Sequence, residues 1–129
     1  MRGRQAGRPA PGERRTVERQ ERGIEPVPGG ASFSVLEGFY EGLELAIDRS
    51  WLVIGRGRGA DVVLAEPTIS RAHAAFGHDG EGFFVQDLGS TNGTFVNGAR
   101  EKRALLKDGD EVQMGKLRLR VTLPTQVGA

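Results

Sequence analysis

The sequence predicts an all-β domain, and three observations carry that prediction. Short runs of β-forming residues recur about every 8–12 residues between Ser32 and Leu123. Turn-forming pairs such as Asp79-Gly80 and Asn92-Gly93 separate these runs. No window of the chain carries a sustained helical period. This spacing of strands and turns is typical of a β-sandwich or a β-barrel.

The predicted strands follow one another along most of the chain. They are Phe33–Glu37, Leu43–Ile47, Trp51–Ile54, Asp61–Leu64, His73–His78, Phe83–Asp87, Thr94–Val96, Arg103–Leu106, Glu111–Met114 and Leu117–Leu123. The last strand alternates apolar and basic residues, so one of its faces is expected to be buried and the other to face water. Residues 32–124 are predicted to form one domain with a modest core, followed by a short tail at 125–129.

The N-terminal segment, residues 1–31, has a different composition. It holds seven arginines against four glutamates, four prolines and almost no large apolar side chains. Such a segment cannot bury enough surface to offset the entropy of ordering it, so we expect a flexible basic tail. Its basic excess could contact nucleic acid or acidic lipid, but the mixed charges and the absence of aromatic residues favour a solvated tail with no nucleic-acid partner.

Composition also excludes several classes of protein. The chain has no cysteine, which rules out disulfides and thiolate metal sites and is compatible with a reducing compartment. It has no apolar run of about 18 residues and no apolar segment behind its N-terminal arginines, so neither a membrane span nor a secretory signal is expected. His73 and His78 are poorly placed for a metal site. The sequence therefore predicts a cytoplasmic protein without a metal or cofactor.

Polar residues concentrate in the segment from Gly89 to Gly98. Two Asn-Gly pairs flank Thr94-Phe95-Val96, which predicts a loop, a short strand and a tight turn. Ser90-Thr91-Asn92 places two hydroxyls and an amide at the tip of that loop. Turn formation is the commoner use of these residues, and a binding role depends on what lies near them.

The segment Gly55-Arg56-Gly57-Arg58-Gly59 follows an apolar strand and superficially suggests a dinucleotide-binding loop. Its spacing does not match G-x-G-x-x-G, and the residues that follow predict a strand rather than a helix. No helix N-terminus is therefore available for a pyrophosphate. The segment is better interpreted as a turn between strands that carries two guanidinium groups, and exposed arginines in such turns are common.

Ser70 and His73, with Asp87, have the side chains of a hydrolase triad. Nothing around Ser70 resembles a nucleophile elbow, and no pair of glycines flanks it. His73 begins an apolar run, so we expect it to be half-buried and to brace the loops through hydrogen bonds. The sequence does not predict an enzyme.

Three separated motifs resemble those of forkhead-associated (FHA) domains. They are Ile54-Gly55-Arg56, Ser70-Arg71-Ala72-His73, and the run from Asp87 to Gly98 with Ser90-Thr91-Asn92-Gly93 at its centre. Leu105 to Val112 followed by Gly115 is similar to the closing segment of that family. The resemblance covers about residues 32–124 and is to small bacterial-type proteins with a single FHA domain. It implies a two-sheet antiparallel β-sandwich that binds phosphothreonine peptides through loops at one end.

The resemblance also implies roles for individual residues. Arg56 and Ser70 correspond to phosphate ligands, Thr91 to a contact with the phosphothreonine, and Asn92 to a contact with the peptide backbone. Arg71 corresponds to a supporting contact. A phosphothreonine carries about −1.5 to −2 charges and three strong acceptor oxygens, which suits a guanidinium assisted by hydroxyls and an amide.

Three further residues correspond to architectural positions of the family: Gly55, His73 and Gly93. Asn97 is a further supporting residue, and it is also explained as serving only its own turn. Together these implications predict an adaptor that docks onto threonine-phosphorylated proteins, which include or are substrates of a Ser/Thr protein kinase. The alternative is a structural assembly module that uses the same sandwich to bind an unphosphorylated partner.

Thr16 is the one hydroxyl-bearing residue in residues 1–31, and it follows two arginines that could attract a basophilic kinase. A solvated polar residue is the favoured interpretation. The alternative hypothesis is an autoinhibitory switch, in which phosphorylated Thr16 docks onto Arg56 and Ser70 of its own chain. The sixteen residues that end at Ser32 span about 20–24 Å as a flexible coil, which makes this docking reachable.

Overall fold

A computed structural model of the protein describes residues 18–19 and 26–124. These residues form strands and turns, and no helix occurs among them. The strands are β1 (Glu18–Arg19), β2 (Ser32–Val35), β3 (Glu44–Ala46), β4 (Trp51–Gly55), β5 (Val62–Val63), β6 (Ala74–Asp79), β7 (Gly82–Asp87), β8 (Thr94–Val96), β9 (Ala99–Arg100), β10 (Arg103–Leu105), β11 (Glu111–Met114) and β12 (Leu117–Thr122). All ten predicted strands are present with small shifts at their ends, and β1 and β9 are additional.

The strands form two six-stranded sheets. The first sheet has the order β1-β5-β4-β6-β7-β10, and the second has the order β3-β2-β12-β11-β8-β9. Every pair is antiparallel except β4 and β5, which run parallel, with Ile54 opposite Val62 and Gly55 opposite Val63. The predicted all-β, two-sheet sandwich is confirmed, and this parallel pair makes the first sheet mixed.

The core lies between the two sheets. Phe33 of β2 and Phe76 of β6 stack across the interior with ring centroids 5.4 Å apart, so each sheet contributes one ring. Along β12 the apolar residues Leu117, Leu119 and Val121 are buried, whereas the two arginines between them are more exposed. The alternation that the sequence shows in this strand therefore separates its two faces as predicted.

Strand β1 falls within the segment that was predicted to be a flexible tail. It pairs with the edge strand β5 in an antiparallel register that places Glu18 opposite Val63 and Arg19 opposite Val62. Edge strands present unpaired backbone groups, so a passing segment can pair with them without apolar side chains of its own. Residues 1–17, 20–25 and 125–129, and with them Thr16, lie outside the described residues.

Three loops meet at one end of the sandwich. They connect β4 to β5 (56–61), β5 to β6 (64–73) and β7 to β8 (88–93), and the turn between β11 and β12 joins them from the second sheet. Within the described part of the chain, no helix is long and apolar enough to cross a membrane.

Candidate functional site

Arg56 is the first residue after β4, and the backbone and one side-chain nitrogen fix its position. Its backbone N–H donates to Ser70 O at 3.0 Å, and its Nε donates to Ile69 O at 2.9 Å. The side chain is otherwise exposed, and no described residue accepts a hydrogen bond from Nη1 or Nη2. Of the five N–H donors of a guanidinium, four therefore face solvent in a fixed orientation.

Gly55 and Gly57 allow the loop of Arg56 to approach the loop of Ser70 closely. A Cβ atom on Gly55 would lie 1.9 Å from Arg71 O, so no other residue fits at this position without moving the backbone. The Gly57 N–H donates to the same Arg71 carbonyl at 3.0 Å. Arg71 extends over Gly57, since a Cβ atom there would lie 2.9 Å from Arg71 Cβ, and its side chain is exposed.

His73 is fully buried beneath these loops, where the sequence predicted a half-buried side chain. The backbone N–H of Ser70 donates to Nδ1 at 3.1 Å, and Nε2 lies 2.8 Å from Gly93 O. Because Nδ1 accepts, the proton is assigned to Nε2, which then donates to the carbonyl. Both ring nitrogens are occupied by backbone groups, so His73 braces two loops and is not available as a base for Ser70.

The surroundings of His73 also affect its charge. Burial lowers the pKa of His73 below its usual range, and the Gly93 carbonyl and the Asp87 carboxylate oppose that effect only in part. The imidazole is therefore neutral at neutral pH, which agrees with one accepting and one donating nitrogen. A neutral, buried ring whose two nitrogens are both hydrogen-bonded connects the Ser70 loop to the Gly93 loop.

Ser70 and Thr91 come from two different loops and are joined by a hydrogen bond. The backbone N–H of Thr91 donates to Ser70 Oγ at 3.1 Å. Neither hydroxyl donates to an acceptor among the described residues, and Thr91 is exposed while Ser70 is partly buried. Both hydroxyl protons are thus available to an acceptor that approaches from solvent, and Ser70 O accepts from Arg56 N in the neighbouring loop.

Asn92 lies next to Thr91 and fastens the β7–β8 loop to the β5–β6 loop. Its Nδ2 donates to Thr68 O at 2.8 Å. Its Oδ1 receives no hydrogen bond from any described residue, so it can accept an N–H from a bound backbone. Gly93 follows with a φ of 88°, a conformation that residues with a Cβ rarely adopt.

Asp87 organises the loop that carries these residues. Its carboxylate accepts hydrogen bonds from Gly89 N and Ser90 N, each at 3.0 Å, from Ser90 Oγ at 2.6 Å and from Thr94 Oγ1 at 2.7 Å. Burial raises its pKa, but the hydrogen bonds from Ser90 and Thr94 and from the backbone outweigh that effect, so its pKa lies below the usual range. The hydrolase hypothesis assigned Asp87 to orient His73, whereas the carboxylate caps its own loop.

Thr68 is a residue of the site region that sequence reasoning missed. Its Oγ1 donates to Glu66 at 2.6 Å and accepts from Lys116 N at 2.8 Å, while its carbonyl accepts from Asn92. Lys116 belongs to the β11–β12 turn of the second sheet, and a Cβ atom on Gly115 would lie 2.4 Å from Thr68 O. No local signal in the sequence indicates this contact, because 48 positions separate the partners.

Asn97 is not brought together with the predicted phosphate ligands. It occupies the β8–β9 turn with a φ of 50°. Its Nδ2 donates to Asp110 Oδ1 at 3.0 Å, and its Oδ1 accepts from Glu111 N at 3.0 Å. It therefore fixes its own turn against the start of β11, which is the more local of the two roles expected for it.

The arrangement as a whole suits an anionic ligand. Arg56 and Arg58 of the β4–β5 loop and Arg71 of the β5–β6 loop are exposed, while the Glu66 carboxylate accepts hydrogen bonds from Thr68. No group of three or more histidine, aspartate or glutamate side chains in the described residues could hold a metal ion. The arginine guanidinium groups would neutralise an anion bound here, and the hydroxyls would donate hydrogen bonds to it.

Comparison with known proteins identifies the family. The family model of the FHA domain matches residues 52–115. Over 98 residues the chain is 38% identical to the oxoglutarate dehydrogenase inhibitor of Corynebacterium jeikeium, a match that covers 75% of this chain and 68% of that protein. The chain belongs to the FHA domain family. The family that the three motifs resemble and the fold that it implies are both confirmed.

Two further proteins define the extent of the similarity. The glycogen accumulation regulator GarA of Mycolicibacterium smegmatis is 41% identical over 98 residues, which cover 75% of this chain and 62% of GarA. A structure solved in a structural and functional analysis of phosphothreonine-dependent FHA domain interactions superimposes with a TM-score of 0.64 at 30% identity, and covers 74% of this chain and 98% of that chain. The chain spans 62% to 68% of the length of the two curated relatives.

Proposed function

We propose that this FHA protein is a cytoplasmic adaptor that binds threonine-phosphorylated proteins in Ser/Thr kinase signalling. The observation that carries the proposal is the convergence of unused donors from three loops: the Arg56 guanidinium, the Ser70 hydroxyl and the Thr91 hydroxyl. A phosphate group with its three acceptor oxygens fits such a set of donors. In this proposal Asn92 Oδ1 accepts an N–H from the peptide backbone, and Arg71 gives a supporting contact.

The expected affinity follows from the number of contacts. Three or four charge-assisted hydrogen bonds contribute roughly 5–12 kcal/mol at about 1.5–3 kcal/mol each. Association and ordering of the peptide cost on the order of 4–15 kcal/mol. The contact from Asn92 and the packing of flanking residues must supply the rest of the favourable binding free energy. The expected binding free energy is about −8 kcal/mol, which corresponds to a dissociation constant in the micromolar range. Such an affinity suits reversible signalling.

The relatives support a regulatory role in place of catalysis. One is named as an inhibitor and another as a regulator, and a structural neighbour comes from work on phosphothreonine-dependent interactions. The engagement of both His73 nitrogens by backbone groups supports the same conclusion, since Ser70 then has no base. We therefore propose no enzymatic activity.

Calorimetry with matched peptides tests the proposal. A degenerate phosphothreonine library first identifies a binding sequence, and that peptide is then compared with its threonine and phosphoserine forms. We expect micromolar binding of the phosphothreonine peptide and at least about 100-fold weaker binding of the unphosphorylated form, because two or more charge-assisted hydrogen bonds are lost. Equal affinities for the phosphorylated and unphosphorylated peptides would refute the proposal.

The alternative function is a structural assembly module that binds an unphosphorylated partner. Such a module has no need of the donors on Arg56, Ser70 and Thr91, which is why we favour phosphopeptide binding. The two functions differ in their response to phosphatase. If partners captured from a lysate stay bound after phosphatase treatment, the assembly module is correct, and if they are released, the phosphopeptide reader is correct.

We further propose that phosphorylated Thr16 occupies the same site in its own chain. The pairing of β1 with β5 supports this, because Glu18 lies opposite Val63 and only one residue separates it from Thr16. Val63 lines an apolar depression of about 520 Å³ together with Arg56, Ala65 and Pro67. Two residues of chain reach at most about 7 Å, so a tail that is held at β1 can bring Thr16 towards the predicted phosphate ligands.

A tethered phosphothreonine would meet its site at roughly millimolar effective concentration, which exceeds a micromolar dissociation constant and excludes other partners. Chemical-shift mapping of the Thr16-phosphorylated protein tests this, with a Thr16→Ala protein treated by the same kinase as the control. We expect shifts at Arg56, Ser70 and Asn92 and a weaker response to an added phosphopeptide. Unchanged resonances with undiminished peptide binding would exclude self-binding while leaving the phosphopeptide reader intact.

A further inference from the structure

The loop between β2 and β3, residues 36–43, presents an aromatic side chain to solvent. Phe39 is 68% exposed, more than any other large apolar residue in the described part of the chain, whereas its neighbour Tyr40 is only 2% exposed. The two rings pack edge to face with their centroids 5.0 Å apart. Tyr40 is therefore the inner ring that supports Phe39, and most of the Phe39 ring is accessible to another molecule.

The backbone of the β2–β3 loop is closed by its own hydrogen bonds. Glu41 N donates to Gly38 O at 3.0 Å, and Leu43 N donates to Tyr40 O at 2.9 Å. Gly38 has a φ of 94°, which allows the sharp turn that precedes Phe39. The ring thus projects from a defined backbone, so its entry into a partner costs little additional ordering of the loop.

Tyr40 also fixes the position of this loop relative to the predicted phosphate ligands. Its Oη accepts a hydrogen bond from Ala65 N at 2.7 Å. Ala65 lines the apolar depression that Arg56 borders. Two contacts, from Phe39 to Tyr40 and from Tyr40 to Ala65, therefore separate the exposed ring from that depression. The ring lies at the same end of the sandwich as the phosphate ligands, but outside the loops that carry them.

The charge around the exposed ring is opposite to that of the phosphate-binding loops. Residues 23–48 contain no lysine or arginine, and the loop and the start of β3 carry three exposed glutamates, Glu37, Glu41 and Glu44. Arg118 of β12 pairs with the first of them at 3.3 Å. A surface that complements the β2–β3 loop is therefore apolar at its centre and basic at its border.

We propose that Phe39 anchors a second contact with the threonine-phosphorylated partner, by entering an apolar cleft bordered by basic side chains on a folded domain of that partner. The inference rests on the proposed phosphopeptide function and adds to it a surface that the phosphorylated segment does not touch. A protruding ring needs a concave site, which a folded domain supplies and a short flexible peptide does not. Aromatic side chains are enriched at the centres of protein interfaces for this reason.

The size of the effect follows from the apolar surface that the ring would bury. Complete burial of a phenylalanine side chain strengthens an interaction by about 10- to 100-fold. The bound phosphothreonine tethers the partner, so the second contact forms within the complex at a raised effective concentration. We therefore expect a folded phosphorylated partner to bind more tightly than the isolated phosphopeptide from its own site, and we expect Phe39 to account for that difference.

Comparison of whole partners with their phosphopeptides tests the proposal. The proteins are the full chain, Phe39→Ala, Phe39→Gln, and Leu105→Ala as a control for the loss of an exposed apolar side chain elsewhere. Each is immobilised at a series of concentrations in lysate of the organism that encodes the chain. Proteins that phosphatase releases are identified and quantified by mass spectrometry. A phosphothreonine peptide from the site of the most abundant one is then titrated by calorimetry, and sedimentation measures self-association.

The proposal is supported if both Phe39 variants bind the phosphopeptide as the wild type does but need at least about 10-fold more protein to capture the whole partner, while Leu105→Ala captures it normally. Melting curves verify that the variants are folded.

Three outcomes overturn the proposal. Equal capture by the wild type and the Phe39 variants would leave the ring without a role in the partner contact. A parallel loss of peptide and partner binding would place the ring within the phosphopeptide site. A wild-type dimer that Phe39→Ala dissociates would assign the ring to a second copy of the chain. If the wild type binds no phosphothreonine peptide better than its threonine form, the proposed function itself fails.

Discussion

The loops at the binding end and the turns of β6–β7 and β10–β11 are held by different kinds of hydrogen bonds. Each of the two turns is closed by a bond within the turn: Glu81 N donates to Asp79 two residues away, and Lys107 N donates to Asp110 three residues away. More distant partners such as Arg103 and Asn97 add to these local bonds. At the binding end the bonds that join one loop to another connect residues distant in sequence, as in the bond from Thr91 N to Ser70 Oγ, 21 residues apart.

This difference determines how far a substitution acts. A turn that is closed by its own residues can lose a side chain with little effect elsewhere. The binding loops have no such independence, because the position of each depends on its neighbours through His73, Asn92 and Thr68. Residues that face the ligand and residues that hold the loops should therefore respond differently to substitution.

Arg56→Ala should give the largest effect on binding and almost none on stability. Losing two charge-assisted hydrogen bonds to a phosphate removes about 3–6 kcal/mol of binding free energy, which is at least about 100-fold in affinity. Its one structural bond, to Ile69 O, comes from an exposed side chain. Calorimetry and a thermal melt measure the two effects. Arg103→Ala is the matched control, and normal binding by Arg56→Ala with an unchanged melt would show that the site is assigned wrongly.

His73→Ala should lower both stability and affinity. It leaves a cavity and removes the partners of Ser70 N and Gly93 O, so we expect the free energy of unfolding to fall by about 2–4 kcal/mol. Affinity should fall with it, because the Ser70 and Gly93 loops lose their common support. Urea denaturation followed by peptide titration measures both. A variant that loses stability and keeps full affinity would mean that the loops hold their positions without His73.

Ser70→Ala and Asn92→Ala should each weaken phosphopeptide binding by about 1–3 kcal/mol, the value of a single hydrogen bond to a charged or buried group. Each residue also joins two loops, through Thr91 N and Thr68 O respectively. The double variant should therefore lose an amount different from the sum, since the sites belong to one network. A double-mutant cycle by calorimetry measures this, and strict additivity would indicate that the two contacts act independently.

Asn97→Ala should reduce stability by about 1–2 kcal/mol without changing affinity. The substitution removes two hydrogen bonds to the start of β11 and places alanine at a φ of 50°. Asn97→Gly is the matched control, because glycine tolerates this conformation and should recover the backbone part of the loss. A reduced peptide affinity in either variant would contradict the separation between this turn and the binding loops.

The smallest expected effect is a loss of stability in mild acid. The pKa of His73 is lowered in the folded state, so as the pH falls below about 6.5 the unfolded chain takes up a proton that the folded chain does not. The contribution of neutral His73 to the free energy of unfolding is thus fully present above that pH. Below it the free energy of unfolding declines by at most about 1.4 kcal/mol per pH unit, until the pKa of His73 in the folded state is reached. Denaturation curves at pH 7.5, 6.5 and 5.5 test this, with His73→Gln expected to flatten the profile.

Much of the fold could be predicted because its signals are local. Turn pairs and runs of β-forming residues lie next to one another in the sequence, so all ten predicted strands are present. The two missed strands, β1 and β9, are each two residues long and depend on an edge that the fold supplies. The role of Thr68 was missed for a related reason, because its contact with Lys116 joins residues that only the folded chain brings together.

The hydrogen bond from Lys116 N to Thr68 Oγ1 can form only late in the synthesis of the chain. Thr68 is synthesised 48 residues before the residue that holds its loop, and at about 5–20 residues per second this interval lasts several seconds. Until the β11–β12 turn has left the ribosome, the loop that supplies Ser70 lacks this contact and reaches the second sheet through the bond from Ala65 N to Tyr40 Oη. A chain that ends before this turn therefore holds the Ser70 loop by fewer contacts than the finished protein does.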